Sequence, residues 1–251
     1  MSGHSKWSTI KRKKGAADAK RGQLFTRLAR EITVASREGG GDPDVNFRLR
    51  LAVDRARANN MPKDNIERAI KRGTGELNDG NEIEELTYEG YAPHGVAMII
   101  EVVTDNRNRA VADLRHILNR MGGNLGEGGS VAWQFTQTAY FGFPPDDHDS
   151  DELFELAVES GADDVVFDDD WIEITGQLES FKQIADGLHT AGIQPEEAEL
   201  RMVPNHEMEL PLDETLQVMR VVEALEELDD VQNIYSNLFI SDEALSEVEV
   251  A

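Results

Sequence analysis

The chain has 251 residues, enough for one to three domains, and its 39% hydrophobic and 29% charged composition is that of a globular protein. It contains no cysteine, which excludes disulfide scaffolds, thiolate metal sites and cysteine nucleophiles, and no apolar run approaches the roughly eighteen residues that a membrane span needs. The formal net charge of -24 conceals a division near Gly75: residues 1–75 hold 18 Lys+Arg against 8 Asp+Glu, a net of +10, and the remainder holds 7 against 41, a net of -34. A chain divided in this way joins a polyanion-binding end to an acidic body that limits indiscriminate sticking.

The first fifteen residues are basic, with Trp7 and Ile10 as their large apolar side chains, so they offer no apolar core for a secretory signal. The chain is expected in the cytoplasm. Lys6, Trp7, Lys11, Arg12, Lys13 and Lys14 place five cations and an aromatic within nine residues. Cations neutralise phosphates and release counterions, while an indole face can stack on an unpaired base. A tail of this kind can equally serve localisation or solubility.

From Ala17 to Glu38 the residues Leu24, Phe25, Leu28, Ile32 and Ala35 fall on one helical stripe, with Lys20, Arg27, Arg30 and Arg37 opposite. Gly39 to Gly41 end that helix, and Asp42-Pro43-Asp44 supplies turn and capping chemistry for a second, which runs to about Asn59 around Leu49, Ala52, Val53 and Ala56. A third carries Pro62 in its first turn, Ile66, Ala69 and Ile70 inward, and Gly73 past its end. After a linker at 75–80, a strand at Val96–Val103 precedes a helix capped by Thr104 or Asp105, and Val131–Phe135 reads as the next strand. From Ala139 the order is strand, helix (Glu152–Ser160), strand (Val165–Phe167), strand (Trp171–Thr175), helix (Leu178–Ala191), strand (Glu199–Val203), which is the ferredoxin-like order. A helix at Leu216–Leu228 and a strand at Val231–Tyr235 have too few partners of their own and are expected to complete the sheet begun at Val96.

The fold class that follows is α+β: an N-terminal three-helix bundle plus two α/β sandwich domains, one ferredoxin-like and inserted in the other. The expected boundaries are 1–78 for the basic tail and bundle, 79–136 with 205–240 for a discontinuous domain, 137–204 for the acidic insert and 241–251 for a frayed acidic tail.

Residues 122–129 (GGNLGEGG) resemble a phosphate cradle but lack a following Lys-Ser/Thr, lead into a strand and carry Glu127, so they read as a turn. An EF-hand counted from Asp147 would put Glu152 where glycine is required and Val158 where the bidentate glutamate belongs, which leaves a solvated acidic linker. The six histidines, at 4, 94, 116, 148, 189 and 206, show no paired-ligand spacing, and no serine sits in a nucleophile elbow. Neither metal, cofactor nor catalysis is expected. Arg107 and Arg109 are cations retained on the acidic body at a strand-to-helix turn, either as a second contact point or paired with carboxylates such as Glu101 and Asp113.

Four runs of this sequence, 3–7 (GHSKW), 13–22 (KKGAADAKRG), 60–66 (NMPKDNI) and 88–95 (YEGYAPHG), closely resemble the YebC/PmpR family, and the likeness continues through 104–109 and 128–135. The resemblance implies a helical bundle and two α/β domains, one inserted in the other. It also implies a regulator of gene expression. Bacterial members are labelled probable transcriptional regulators with DNA binding claimed for some, while mitochondrial relatives are translational activators, and ribosome-associated roles at consecutive prolines are described. It brings no catalytic residues with it. Both roles place contact on the basic end, so Lys6, Trp7, Lys11, Arg12, Lys13, Lys14, Lys20 and Arg21 are contact candidates toward DNA or ribosomal RNA, with Arg27, Arg30, Arg107 and Arg109 second. A monomer that does not engage membranes is expected.

Overall fold

The computed structural model describes residues 18–77, 83–145, 148–168 and 171–250. Three helices come first: α1 (Asp18–Gly39), α2 (Phe47–Ala58) and α3 (Lys63–Gly73). They close on Leu28, Ile32, Ala35, Leu49, Ala52, Val53, Ala56, Ile66 and Ala69, close to the stripes that the helical spacing marks. The second helix starts later than its turn suggests, because Asp42 caps only its own turn by accepting the Asp44 N–H. Asn46 is the true cap: its side chain accepts the Leu49 N–H at 3.1 Å and donates to the Ala35 and Gly40 carbonyls. Gly73 lets α3 cross α1 closely, since a Cβ there would lie 2.3 Å from the Thr33 carbonyl oxygen.

The first sheet is formed by β1 (Glu84–Tyr91), β2 (Ala97–Thr104), β3 (Asn124–Leu125) and β8 (Val231–Ser236) in the order β3-β1-β2-β8, every pair antiparallel. Strand β8 reaches this sheet after a long excursion, as expected for an inserted unit. Helices α4 (Arg107–Arg120) and α7 (Leu212–Glu226) cover one face, meeting Met98, Ile100 and Val102 with Leu114, Leu118, Val218 and Val222. Between β3 and β8 come β4 (Phe135–Phe143), α5 (Ser150–Glu159), β5 (Ala162–Phe167), β6 (Ile172–Gln177), α6 (Phe181–Thr190) and β7 (Glu197–Pro204). Their sheet runs β5-β6-β4-β7, the ferredoxin-like order, around Phe141, Ile174, Leu153 and Ile184.

Three elements differ from expectation. Strand β1 is absent from the sequence reading because Glu84, Glu85 and Glu89 break its apolar alternation; its inward positions are occupied by Leu86, Tyr88 and Gly90. Residues 131–134 are not strand. Ala132–Gln134 is a 3-10 turn, and the N–H groups of Val131 and Ala132 donate to the Glu89 carboxylate instead of to a neighbouring strand. The acidic stretch after Ser241 is not a frayed tail but a helix, α8 (Asp242–Val250). Ala244 and Leu245 are buried against α7 with Val248 packed beside them, so an apolar patch one helical turn long holds down an otherwise acidic segment.

Apolar contacts join the units. Val34 of α1 packs against Ile83 and Val103, and Phe47 of α2 meets Phe181 edge-on with ring centres 5.7 Å apart. Val131 and Phe135 wedge between the sheets against Ala97, Ile99 and Met202.

Candidate nucleic-acid interface

Lys6, Trp7, Lys11, Arg12, Lys13 and Lys14 lie outside the described residues, and Lys20 and Arg21 are described only as helical backbone in the first turn of α1. The remaining candidates divide sharply. Arg27 and Arg30 do not present a solvent stripe. Arg27 donates to the Glu226 carbonyl, and burial, the largest influence on it, holds its guanidinium below arginine's ordinary value despite Glu226 and Asp229. Arg30 donates to the Asp229 carbonyl and pairs with the Asp230 carboxylate at 2.8 Å.

Asp230 is the hub of this junction. Buried just before β8, it accepts from the Thr104 hydroxyl at 2.9 Å and from Arg109 at 2.9 Å, while Arg30 reaches it from α1. Arg109 also pairs with Asp105 at 2.8 Å, and hydrogen bonds to Asp230 and Asp105 raise its pKa. The pairing alternative therefore describes Arg109, with Asp105 and Asp230 as partners in place of Glu101 and Asp113. Glu101 instead lies between β2 and β8, accepting from Asn233 at 2.9 Å, and burial lifts its pKa. Arg107, two positions away on α4, is exposed.

A second polar junction ties α2 to the insert. Arg55 bridges Glu31 at 3.4 Å and Glu199 at 3.0 Å, and Arg201 pairs with Glu199 at 2.6 Å while lying 3.5 Å over the Tyr140 ring. Burial pushes the Glu199 carboxyl up, but Arg201 and Arg55 override it and hold it at about 2. Arg37 donates to the Ile83 carbonyl and Arg48 pairs with Glu38 and Glu85. The cationic face of the bundle thus contributes many of its guanidiniums to domain contacts.

The glycine-rich loop is a turn, as its sequence indicates, yet its backbone does hold an anion. The Glu89 carboxylate accepts the N–H groups of Gly129 at 2.6 Å, Val131 at 2.7 Å and Ala132 at 2.8 Å. Burial pushes this carboxyl up, but the three N–H donors outweigh it and leave it below its usual range. Beyond it, Trp133 stands 72% exposed with its indole N–H satisfied by the Ser130 carbonyl at 3.1 Å.

The description "TACO1/YebC protein N-terminal domain" matches residues 5–76 and "TACO1/YebC second and third domain" matches residues 83–238. The chain belongs to the TACO1/YebC family. A relative from Geotalea uraniireducens is 51% identical over 99% of this chain and 100% of its own length, and one from Acidithiobacillus ferrooxidans is 53% identical over 99% of each. A third, from Syntrophobacter fumaroxidans, is 53% identical over 99% of this chain and 100% of its own; all three bear the name "Probable transcriptional regulatory protein". A crystal structure of a conserved hypothetical protein from Aquifex aeolicus is similar at a TM-score of 0.83 and 42% identity, covering 90% of this chain and 93% of that one.

In this member of the TACO1/YebC family, several of the cations that face solvent are ones the sequence reading passed over. On α3, Arg68 and Lys71 are exposed and Lys63 pairs with Glu67 at 3.5 Å. On α4, Arg115 and Arg120 are exposed beyond Arg107. The signal for them was available, because helical spacing separates Arg68 and Lys71 from the inward Ile66 and Ala69. Among the described residues no group of three or more His, Cys, Asp or Glu could hold a metal ion, and no helix is long and apolar enough to cross a membrane.

Proposed function

We propose that this protein is a non-enzymatic, cytoplasmic regulator of gene expression that binds nucleic acid through its basic first 75 residues. The observation that carries the reading is the net of +10 on those residues against -34 on the rest. Within it, structured RNA on the ribosome is the better-fitting polyanion. Reading a DNA groove requires a row of side chains presented to base edges, and Arg27, Arg30 and Arg55 are engaged in domain contacts instead. A short basic segment with one Trp on a compact bundle suits an irregular RNA surface. The transcriptional reading draws on the relatives' names, each "Probable transcriptional regulatory protein".

Changing Lys11, Arg12, Lys13 and Lys14 together to Ala in the full chain tests the interface. The slope of log K against log salt should flatten by about three units, at roughly 0.7 to 0.9 per phosphate contact, and co-sedimentation with ribosomes should weaken. An unchanged slope removes these four from the interface. For the choice of polyanion, the preference for the best genomic DNA site over scrambled DNA should stay below about tenfold, against the roughly thousandfold typical of specific binders. A large ratio without ribosome association makes the protein a transcription factor.

A further inference from the structure

Four of the seven cations beyond Gly75 lie within one helix, α4, which carries a single acidic residue, Asp113. This clustering occurs on a body whose 41 carboxylates outnumber its cations about sixfold. Carboxylates engage Arg109, on Asp105 and Asp230, and Arg201, on Glu197 and Glu199. Arg107, Arg115 and Arg120 are different. All three are exposed, and among the described residues no ion pair or hydrogen bond holds any of their guanidiniums.

Helix geometry explains the division. Ala110, Leu114 and Leu118 face the sheet, whereas Arg109 and Asp113 line a cleft of about 560 Å³ shared with Gln23 and Arg30 of α1. At about 100° per residue, Arg115 and Arg120 stand on opposite flanks of the outer arc, about 140° apart, whereas Arg107, in the first turn, falls on the line of Leu114 and Leu118. Arg115 and Arg120 therefore bracket the outer face, about 8 Å apart along the axis at about 1.5 Å per residue. Asn108, Asn119 and His116 are exposed along the same path and carry no negative charge. Because α1 flanks the same cleft, this face adjoins the basic bundle.

We propose that the outer face of α4 is a second polyanion-contact surface, on which Arg115 and Arg120 take phosphates of the nucleic acid that the N-terminal segment binds. The identity of that polyanion rests on the reading above, but the surface itself rests on the arrangement of α4. Its contribution is electrostatic and positional: guanidiniums donate to phosphate oxygens in a bidentate fork, and two separated contact points fix the orientation of the protein on its target.

The test uses the full chain and a fluorescein-labelled RNA hairpin, titrated from about 50 to about 300 mM potassium chloride. Arg115→Gln with Arg120→Gln is compared with Lys182→Glu, which changes net charge by the same amount at an exposed site on α6. The arginine pair should lower the salt slope by about 1.4 units, at roughly 0.7 per phosphate contact, and weaken binding tenfold or more at low salt. The Lys182→Glu chain should shift by less than about 0.3 units. Equal effects from both chains would reduce α4 to a share of the overall charge and overturn the proposal, and so would no effect from the arginine pair. Glutamine keeps the helix propensity of α4, and circular dichroism confirms that each chain is folded. The 11–14 alanine chain separates the two readings. If it retains the parental slope while the arginine pair flattens it, the tail reading fails and α4 stands; the converse sinks the α4 surface alone.

Discussion

Helices α1 and α4 flank the same cleft, and each carries arginines opposite an apolar stripe, yet their charges do different work. Arg27 and Arg30 of α1 turn toward the Glu226–Asp230 corner, where a buried carboxylate and backbone carbonyls receive them. The arginines of α4, apart from Arg109, turn to water. Composition alone ranks α1 the more basic helix; in the structure Arg27 and Arg30 are engaged internally, while Arg115 and Arg120 stay exposed. The lesson is that a basic stripe on a helix reports a partner of opposite sign without reporting whether that partner is in the same molecule.

The sharpest way to break this contrast is at Asp230. It receives Arg30, Arg109 and the Thr104 hydroxyl in a buried setting, so Asp230→Ala leaves two guanidiniums facing each other and a buried hydroxyl without its acceptor. Removing one partner of such a cluster costs about 3 kcal/mol or more. Urea unfolding at neutral pH measures it. A loss below about 1 kcal/mol, the range of surface pairs, would make the α1 arginines ordinary surface cations and erase the distinction from α4.

How far this arrangement could be seen in the sequence depended on whether the partners were local. Helical stripes of the bundle and the βαββαβ order are periodic signals within a few turns or strands, and they place Ile32, Leu49, Ile66, Phe141 and Ile184 in cores correctly. The turn at 122–129 was legible for the same reason. Charge partners were not. Arg27 meets Glu226, Arg55 meets Glu199 and Glu89 meets the Val131 N–H across separations that no periodicity encodes. Strand β1 escaped because Glu84, Glu85 and Glu89 interrupt its apolar alternation, and α8 because four apolar residues in nine carry too little pattern among acids. Of the α4 residues, Arg107 was visible through its place at a turn, whereas Arg115 and Arg120 gained meaning only from the body's shortage of cations.

The second junction supplies a pH-dependent counterpart. Glu199 sits at about 2 in the folded chain against about 4.3 when unfolded, so its pairing stabilises fully above the unfolded value and is lost as pH falls through the folded one. Glu101 has the opposite sign: its raised value favours the protonated form, so its contribution weakens as pH rises above the ordinary carboxylate range. Comparison of the parent with Glu199→Gln isolates the first effect from the many other carboxylates. The stability difference should be about 2 kcal/mol near pH 7 and fall by half or more near pH 3. A difference independent of pH would mean that Glu199 is held by packing, and that this junction owes nothing to Arg55 and Arg201.

The smallest expected effect separates the two helices most cleanly. If the outer arginines of α4 serve an external partner, they contribute almost nothing to the isolated fold. Arg115→Ala should be neutral or slightly stabilising, because alanine is the better helix former and no ion pair is lost. Arg120→Ala gives up a favourable position in the last turn, worth about 0.3 kcal/mol at an exposed helix end, which the gain in propensity roughly offsets. Arg27→Ala should behave otherwise. It abandons the Glu226 carbonyl and removes a packed side chain from the junction, for a loss of about 1 kcal/mol or more, while leaving the salt slope of RNA binding within about 0.3 units of the parent. Stability and salt slope thus form two axes on which the α1 and α4 arginines should fall at opposite ends. If Arg115→Ala and Arg120→Ala instead cost more than about 1 kcal/mol together, α4 holds the fold through contacts as α1 does, and the unpaired cations on its outer face lose their claim to an external partner.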